Sequence, residues 1–190
     1  MGYEWYAGAF NNDALLVQMG AIIPELWQQH EYWRLIAAMF LHANLLHWFA
    51  NTWSLFQLGS LYEVMFGSKR FAAIYFATGL CASIASSLNP NHYSVGASGA
   101  ILGILGAFIF SIRRSPWRHE RWTRGLTQQL VFWAAVNIVL GLSIKQIDNT
   151  AHIAGLVSGL LLGLIPHRVP PPPPSATVID VQPRQTYGGE

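Results

Sequence analysis

The sequence predicts an all-α, polytopic membrane helix bundle, and three observations carry that prediction. Only 11% of the 190 residues are charged while 52% are hydrophobic, against roughly a quarter charged in soluble domains. Apolar stretches of near-spanning length follow one another from residue 45 to residue 166. The positive charges between them are unevenly placed, as they are in oriented membrane helices. The single cysteine, Cys81, excludes a disulfide framework. It lies in an apolar segment and is expected to be a buried small side chain.

Residues 1–44 are expected to form an interfacial N-terminal segment and outer loop. Tyr3, Trp5, Tyr6, Phe10, Trp27, Tyr32 and Trp33 stand among Asn, Gln and Glu. Amphipathic aromatics of this kind suit the headgroup region. Short helical pieces are expected here, Asp13–Gly20 among them. Leu35–Leu41 is apolar but too short to span, and no window before residue 30 is long and apolar enough.

Five spans follow in the core, residues 45–166: Leu45–Met65, Phe71–Leu88, Val95–Ile112, Leu126–Ile144 and the short Ala151–Ile165. The first carries His47, Asn51, Gln57 and Glu63, which must face protein or water. Residues 167–190 contain the run Pro170–Pro174 and a polar tail. That composition predicts polyproline II and disorder, either a plain linker or a ligand for a proline-binding domain.

Orientation comes from the basic residues. Lys69, Arg70, Arg113, Arg114, Arg118, Arg121, Arg124, Arg168 and Arg184 fall on one side, Arg34 and Lys145 on the other. The positive-inside rule makes the first side, with the C-terminal tail, cytoplasmic. The aromatic segment and the loops Asn89–Tyr93 and Lys145–Thr150 then face outward. The basic loop Arg113–Arg124 is expected to anchor topology rather than to bind nucleic acid.

Within this frame the stretch Gly96-Ala97-Ser98-Gly99 opens the third span. Small residues at four-residue spacing allow close helix packing. A serine at a helix N-terminus between glycines also suits a nucleophile. Ser98, His152, His47 and Asn51 come from three helices and share one depth near the outer face. Polar groups in a bilayer are costly unless they are paired or wetted, so a common cavity is expected. Histidine is the usual base for serine. Gly155, Gly159 and Gly163 recur every fourth residue behind His152, a smooth face for the Gly99–Gly103–Gly106 helix. His47 and Asn51, four residues apart, share a helix face, and the Ser98 amide heads its own helix. Together these donors suit an oxyanion.

Two other chemistries compete. His42, His47 and His152 are possible zinc ligands. Against that, a five-residue spacing sets His42 and His47 apart around a helix, no HExxH occurs, and no acidic ligand lies at the right depth. No metal or cofactor is therefore expected. A solute pathway would need polarity at the inner ends of the spans, where only Glu63 stands.

The pattern resembles the rhomboid family of intramembrane serine proteases. The matching residues are Trp33-Arg34, then His42, His47 and Asn51 as H-x4-H-x3-N, and Glu63 before Gly67-Ser68. Gly96-Ala97-Ser98-Gly99 and Ala151-His152-Ile153-Ala154-Gly155 complete it, across residues 30 to 166. The resemblance implies a rhomboid-type bundle with a half-buried helical outer loop, of whose six core spans five are recognisable here and the first is not. It implies a Ser98–His152 dyad in a cavity open to the outside, and an oxyanion hole from His47, Asn51 and the Ser98 amide. Arg34, Glu63, Gly96, Gly99 and Gly155 are implied to be structural. Lys145–Thr150 would be a mobile cap. Substrates would be single-span membrane proteins, cut near the outer face of a prokaryotic plasma membrane. An inert, rhomboid-like binding protein or chaperone is the alternative. At position 102, where many bacterial members carry an aromatic residue, this chain has Leu. Asp148, four residues before His152, is expected to be a wet loop charge and not a third catalytic residue.

Overall fold

A computed structural model describes residues 8–89, 93–144 and 146–166. Expectations for residues 1–7, the middle of the Asn89–Tyr93 loop, Lys145 and the proline-rich tail lie outside the described residues. Among those described the chain is helical, and the only β-type pairing is an isolated antiparallel bridge between Ile22 and Ser94.

The outer loop is built from short helices with clear local causes. Helix α1, Asp13–Met19, starts where the Asn12 side chain accepts the Leu15 amide at 3.1 Å. It stops at Gly20, whose φ of +114° is the left-handed cap that favours glycine. A side chain at Gly20 would also strike the Trp33 ring. A 3-10 turn, Pro24–Leu26, follows, then α2, Arg34–Ala37, which tightens into a second 3-10 turn, Ala38–Phe40. Leu16, Ile22 and Leu26 are completely or almost completely buried. This segment is therefore a packed layer with its own apolar centre rather than a loose loop.

Helix α3, Leu45–Ser54, is capped by the Asn44 side chain, which accepts the His47 amide at 2.8 Å. It runs without interruption into a π turn, Leu55–Gly59, and then α4, Ser60–Phe66. The expected span Leu45–Met65 thus exists as one rod with a widened turn at its middle. Gly67, at φ +87°, alone separates α4 from α5, Ser68–Ser87. Helix α6, Ser98–Arg113, lies at the centre, with Ile104, Ala107 and Phe108 at zero exposure. Helix α7, Arg121–Ser143, is long and apolar enough to cross a bilayer, and only 11% of its apolar window is buried. Helix α8, Asn149–Gly163, is 15 residues long and packs tightly against α6.

The outer surface is inverted relative to a soluble protein. Leu46, Phe49, Phe56, Val64, Phe132 and Leu142 are all more than half exposed. Large apolar side chains exposed at so many positions suit an apolar surround. Cys81 differs from expectation: it is exposed on the flank of α5, because Ala82 and Ser83, not Cys81, point to the interior there.

The α6–α8 contact is made of backbone. A Cβ at Gly155 would run into the Gly99 carbonyl, and one at Gly159 into the Gly103 carbonyl. Gly163 meets the Ala107 carbonyl in the same way at 2.7 Å. Three successive turns of α8 therefore lie directly on α6, an approach only glycine permits.

At the opposite end of the bundle Arg70 fastens several helices. Its guanidinium donates to the Tyr62 hydroxyl at 2.9 Å and to the carbonyls of Leu162 and Ile165 at 3.5 and 3.3 Å. A cation among the last carbonyls of α8 also complements that helix's dipole.

Candidate active site

Helices α3, α6 and α8 all begin at the same end of the bundle, and the predicted polar residues meet there. Ser98 is the first residue of α6 and His152 lies in the first turn of α8. The glycine-lined contact brings His152 Nε2 to 2.9 Å from Ser98 Oγ, a hydrogen bond of ordinary length. His152 is 5% exposed and its Nδ1 is buried with no hydrogen-bond partner. The Asn137 carbonyl on α7 approaches the His152 ring without meeting hydrogen-bond geometry at Nδ1.

The loop before Ser98 faces α3. Gly96 has φ +127°, and a methyl group there would stand 2.8 Å from the His47 ring and 3.4 Å from Asn51 Nδ2. His47 and Asn51 thus line the approach to Ser98 from the other side. Asn51 is 7% exposed, and its Nδ2 is a buried donor without an acceptor. Unpaired buried donors are rare. The Ser98 amide belongs to the first turn of α6, where helix N–H groups have no intrahelical partner.

Gly96→Ala combines a strained backbone with a collision against His47. It is expected to destabilise the fold by about 1–3 kcal/mol, read as a fall in the unfolding midpoint in detergent. Gly125→Ala is the control: its Cβ would meet nothing within 4 Å, and its midpoint is expected to hold or rise.

The outer loop clamps the short segment that leads into Ser98. Ile22 and Ser94 exchange backbone hydrogen bonds of 2.9 and 3.1 Å, and the Gly96 amide donates to the Ala38 carbonyl at 2.8 Å. The Tyr93 hydroxyl is pushed up to about 12 by burial and by its hydrogen bond to Asp13. Arg34, 6% exposed, donates to the Val17 and Ala21 carbonyls and pairs with Glu31 at 2.6 Å. It ties α2 to the end of α1. Glu63 is half-buried near the far end of the rod, where its carbonyl accepts the Gly67 amide at 2.7 Å. Leu102 is buried one turn below Ser98.

Two sequence expectations are corrected. His42 and His47 are not held apart: their rings sit 5.4 Å from centre to centre. The spacing argument assumed one continuous helix, but α3 begins only at Leu45. Burial, helped by His47, pushes His42 down to about 4, so it is a neutral ring at ordinary pH. Among the described residues no cluster of three His, Cys, Asp or Glu forms. Asp148 is likewise not a wet loop charge. Its carboxylate accepts the Ala151 amide at 3.0 Å and also the Ser86 hydroxyl.

A family model for the rhomboid domain matches residues 29–169 of this chain. The chain belongs to the rhomboid family. Relatives include the rhomboid protease GluP of Bacillus subtilis, 36% identical over 152 residues that cover 80% of this chain and 29% of that protein. RHOMBOID-like protein 1 of Arabidopsis thaliana is 37% identical over 152 residues, covering 79% and 39%. RHOMBOID-like protein 6, mitochondrial, from the same plant is 36% identical over 156 residues, covering 81% and 50%. This rhomboid chain therefore spans from 29% to 50% of the length of these relatives. Family membership accounts for the inverted surface, since rhomboids are membrane-embedded helical proteins, and it makes intramembrane proteolysis the family chemistry against which the site is read.

Proposed function

We propose that this chain is an intramembrane serine endopeptidase working through a Ser98–His152 dyad. The observation that carries the reading is the 2.9 Å bond between Ser98 Oγ and His152 Nε2, with the unpaired Asn51 donor close by. In the first step Ser98 Oγ attacks the scissile carbonyl carbon while His152 Nε2 takes its proton. The carbonyl oxygen becomes an oxyanion held by Asn51 Nδ2, His47 and the Ser98 amide. His152 then protonates the departing amine, leaving an acyl group on Ser98. In the second step His152 deprotonates a water that attacks this ester, and Ser98 recovers its proton. A pocket of about 20 Å³ behind Ser98, bordered by Ser83, Ser86 and Ser94, has room and polar partners for one water.

The substrates in this reading are single-span membrane proteins. A peptide bond inside a helix is shielded by its own hydrogen bonds, so a segment that unwinds easily is exposed to Ser98. Residues 45–166 are the catalytic core and 1–44 the interfacial segment and outer loop. In this reading Ser98 lies toward the outer face of a prokaryotic plasma membrane and the C-terminus is cytoplasmic, an orientation that the uneven placement of basic residues supports. No cofactor enters the scheme.

The test is cleavage of a single-span substrate in proteoliposomes. Asn51→Ala is expected to lower kcat by about 10²–10³-fold, the usual effect of removing one oxyanion donor. A wild-type chain that binds such substrates without cutting them would favour an inert binding protein instead.

A further inference from the structure

We propose that Asp148, acting with Ser86, is a positioning residue that sets the place of His152. The need for such a device is visible in the dyad itself. On the far side of the ring the Asn137 carbonyl approaches His152 without meeting hydrogen-bond geometry, so it holds the ring only loosely. The orientation of the ring therefore depends also on the helix that carries it. The glycine contacts fix how closely α8 approaches α6. Smooth faces of this kind interlock few side chains, and they leave rotation and axial register to other contacts.

Asp148 supplies those contacts at the N-cap of α8. One carboxylate oxygen caps the helix by accepting the Ala151 amide at 3.0 Å, and the other accepts the hydroxyl of Ser86. The Asp148 carbonyl accepts the His152 amide at 3.1 Å. Ser86 is 1% exposed and stands in the last turn of α5, on the wall of the pocket behind Ser98. The carboxylate therefore pins the start of α8 to α5, one turn before the histidine. Displacements of about 1 Å at a reacting group cost roughly 10²-fold in rate, so this anchor bears directly on turnover.

The inference rests on the dyad reading, and the experiment separates the two. Three variants of the full chain are compared with wild type in proteoliposomes: Ser86→Ala, Asp148→Ala and Asp148→Asn. Asparagine keeps an oxygen to accept the Ala151 amide, and its NH2 can donate to Ser86 Oγ once that hydroxyl turns to accept, so both contacts survive without the charge. Ser86→Ala is expected to lower kcat about tenfold and Asp148→Ala about 10²-fold, with KM within about twofold. Asp148→Asn is expected to recover to within about threefold of wild type. Histidine ¹⁵N spectra of the same samples report the His152 Nε2 hydrogen bond whether or not the protein cleaves. That signature is expected to be lost in both alanine variants and kept in Asp148→Asn. A wild type that keeps the signature but does not cleave defeats the protease reading alone. The positioning role is overturned if the alanine variants keep the wild-type signature, or if their loss of kcat follows only a lowered unfolding midpoint. It is equally overturned if Asp148→Asn is as impaired as Asp148→Ala.

Discussion

Ser98→Ala is expected to lose turnover of a single-span substrate by at least about 10⁴-fold, the scale seen when the nucleophile of a serine hydrolase is removed. The protein should otherwise be unchanged. Ser98 is the first residue of α6, a position where alanine continues a helix without strain. Removing Oγ deletes one hydrogen bond, to His152, worth about 1 kcal/mol in stability. The expected result is thus a folded, substrate-binding, inactive protein, with an unfolding midpoint within a few degrees of wild type. A variant that is inactive because it is unfolded would argue for a packing role instead.

Gly159→Leu is expected to do the opposite: it should unfold the bundle rather than silence it. A Cβ at Gly159 already overlaps the Gly103 carbonyl, which is backbone and cannot rotate away. Overpacking a core costs typically 1–3 kcal/mol, and forcing two helices apart at their closest crossing belongs at or above the top of that range. Because α6 is the central helix, and its Gly106 also rests on the backbone of Leu156 and Leu160, the displacement spreads. The measurement is the unfolding midpoint in detergent, with Ser158→Leu as comparison. Ser158 is half-buried, and its hydroxyl bonds only within its own helix, to the Gly155 carbonyl, so it should tolerate the change better. Equal midpoints for Gly159→Leu and wild type would contradict close backbone packing.

The bundle was legible because a bilayer imposes a simple pattern. Apolar runs broken by basic turns located the helices to within a few residues, and the glycines at 155, 159 and 163 announced which face of α8 would meet α6. The convergence of Ser98, His152, His47 and Asn51 was legible for a related reason: polar side chains at one depth in three spans need each other's company. What stayed hidden depended on non-local or irregular backbone. The π turn at Leu55–Gly59 leaves no periodic signal over so short a run. His42 and His47 were judged as if on one helix, whereas Asn44 caps α3 between them and lets the rings meet. Asp148 looked like a loop charge because its partner, Ser86, is 62 residues away. Its N-cap role did have a signal, an aspartate three residues before the apolar run of α8. Cys81 was misplaced because the buried face of α5 carries small polar residues, Thr78, Ser83 and Ser86, so hydrophobicity does not tell its outer face from its buried one.

The claim at the centre of this account is that Ser98 is a nucleophile activated by His152. Labelling of the reconstituted wild-type protein with a fluorophosphonate probe, followed by mass spectrometry of the adduct, tests it most directly. The account predicts a single covalent adduct on Ser98, lost in Ser98→Ala and strongly slowed in His152→Ala. Equal labelling of wild type and Ser98→Ala, or an adduct on another residue, would contradict it.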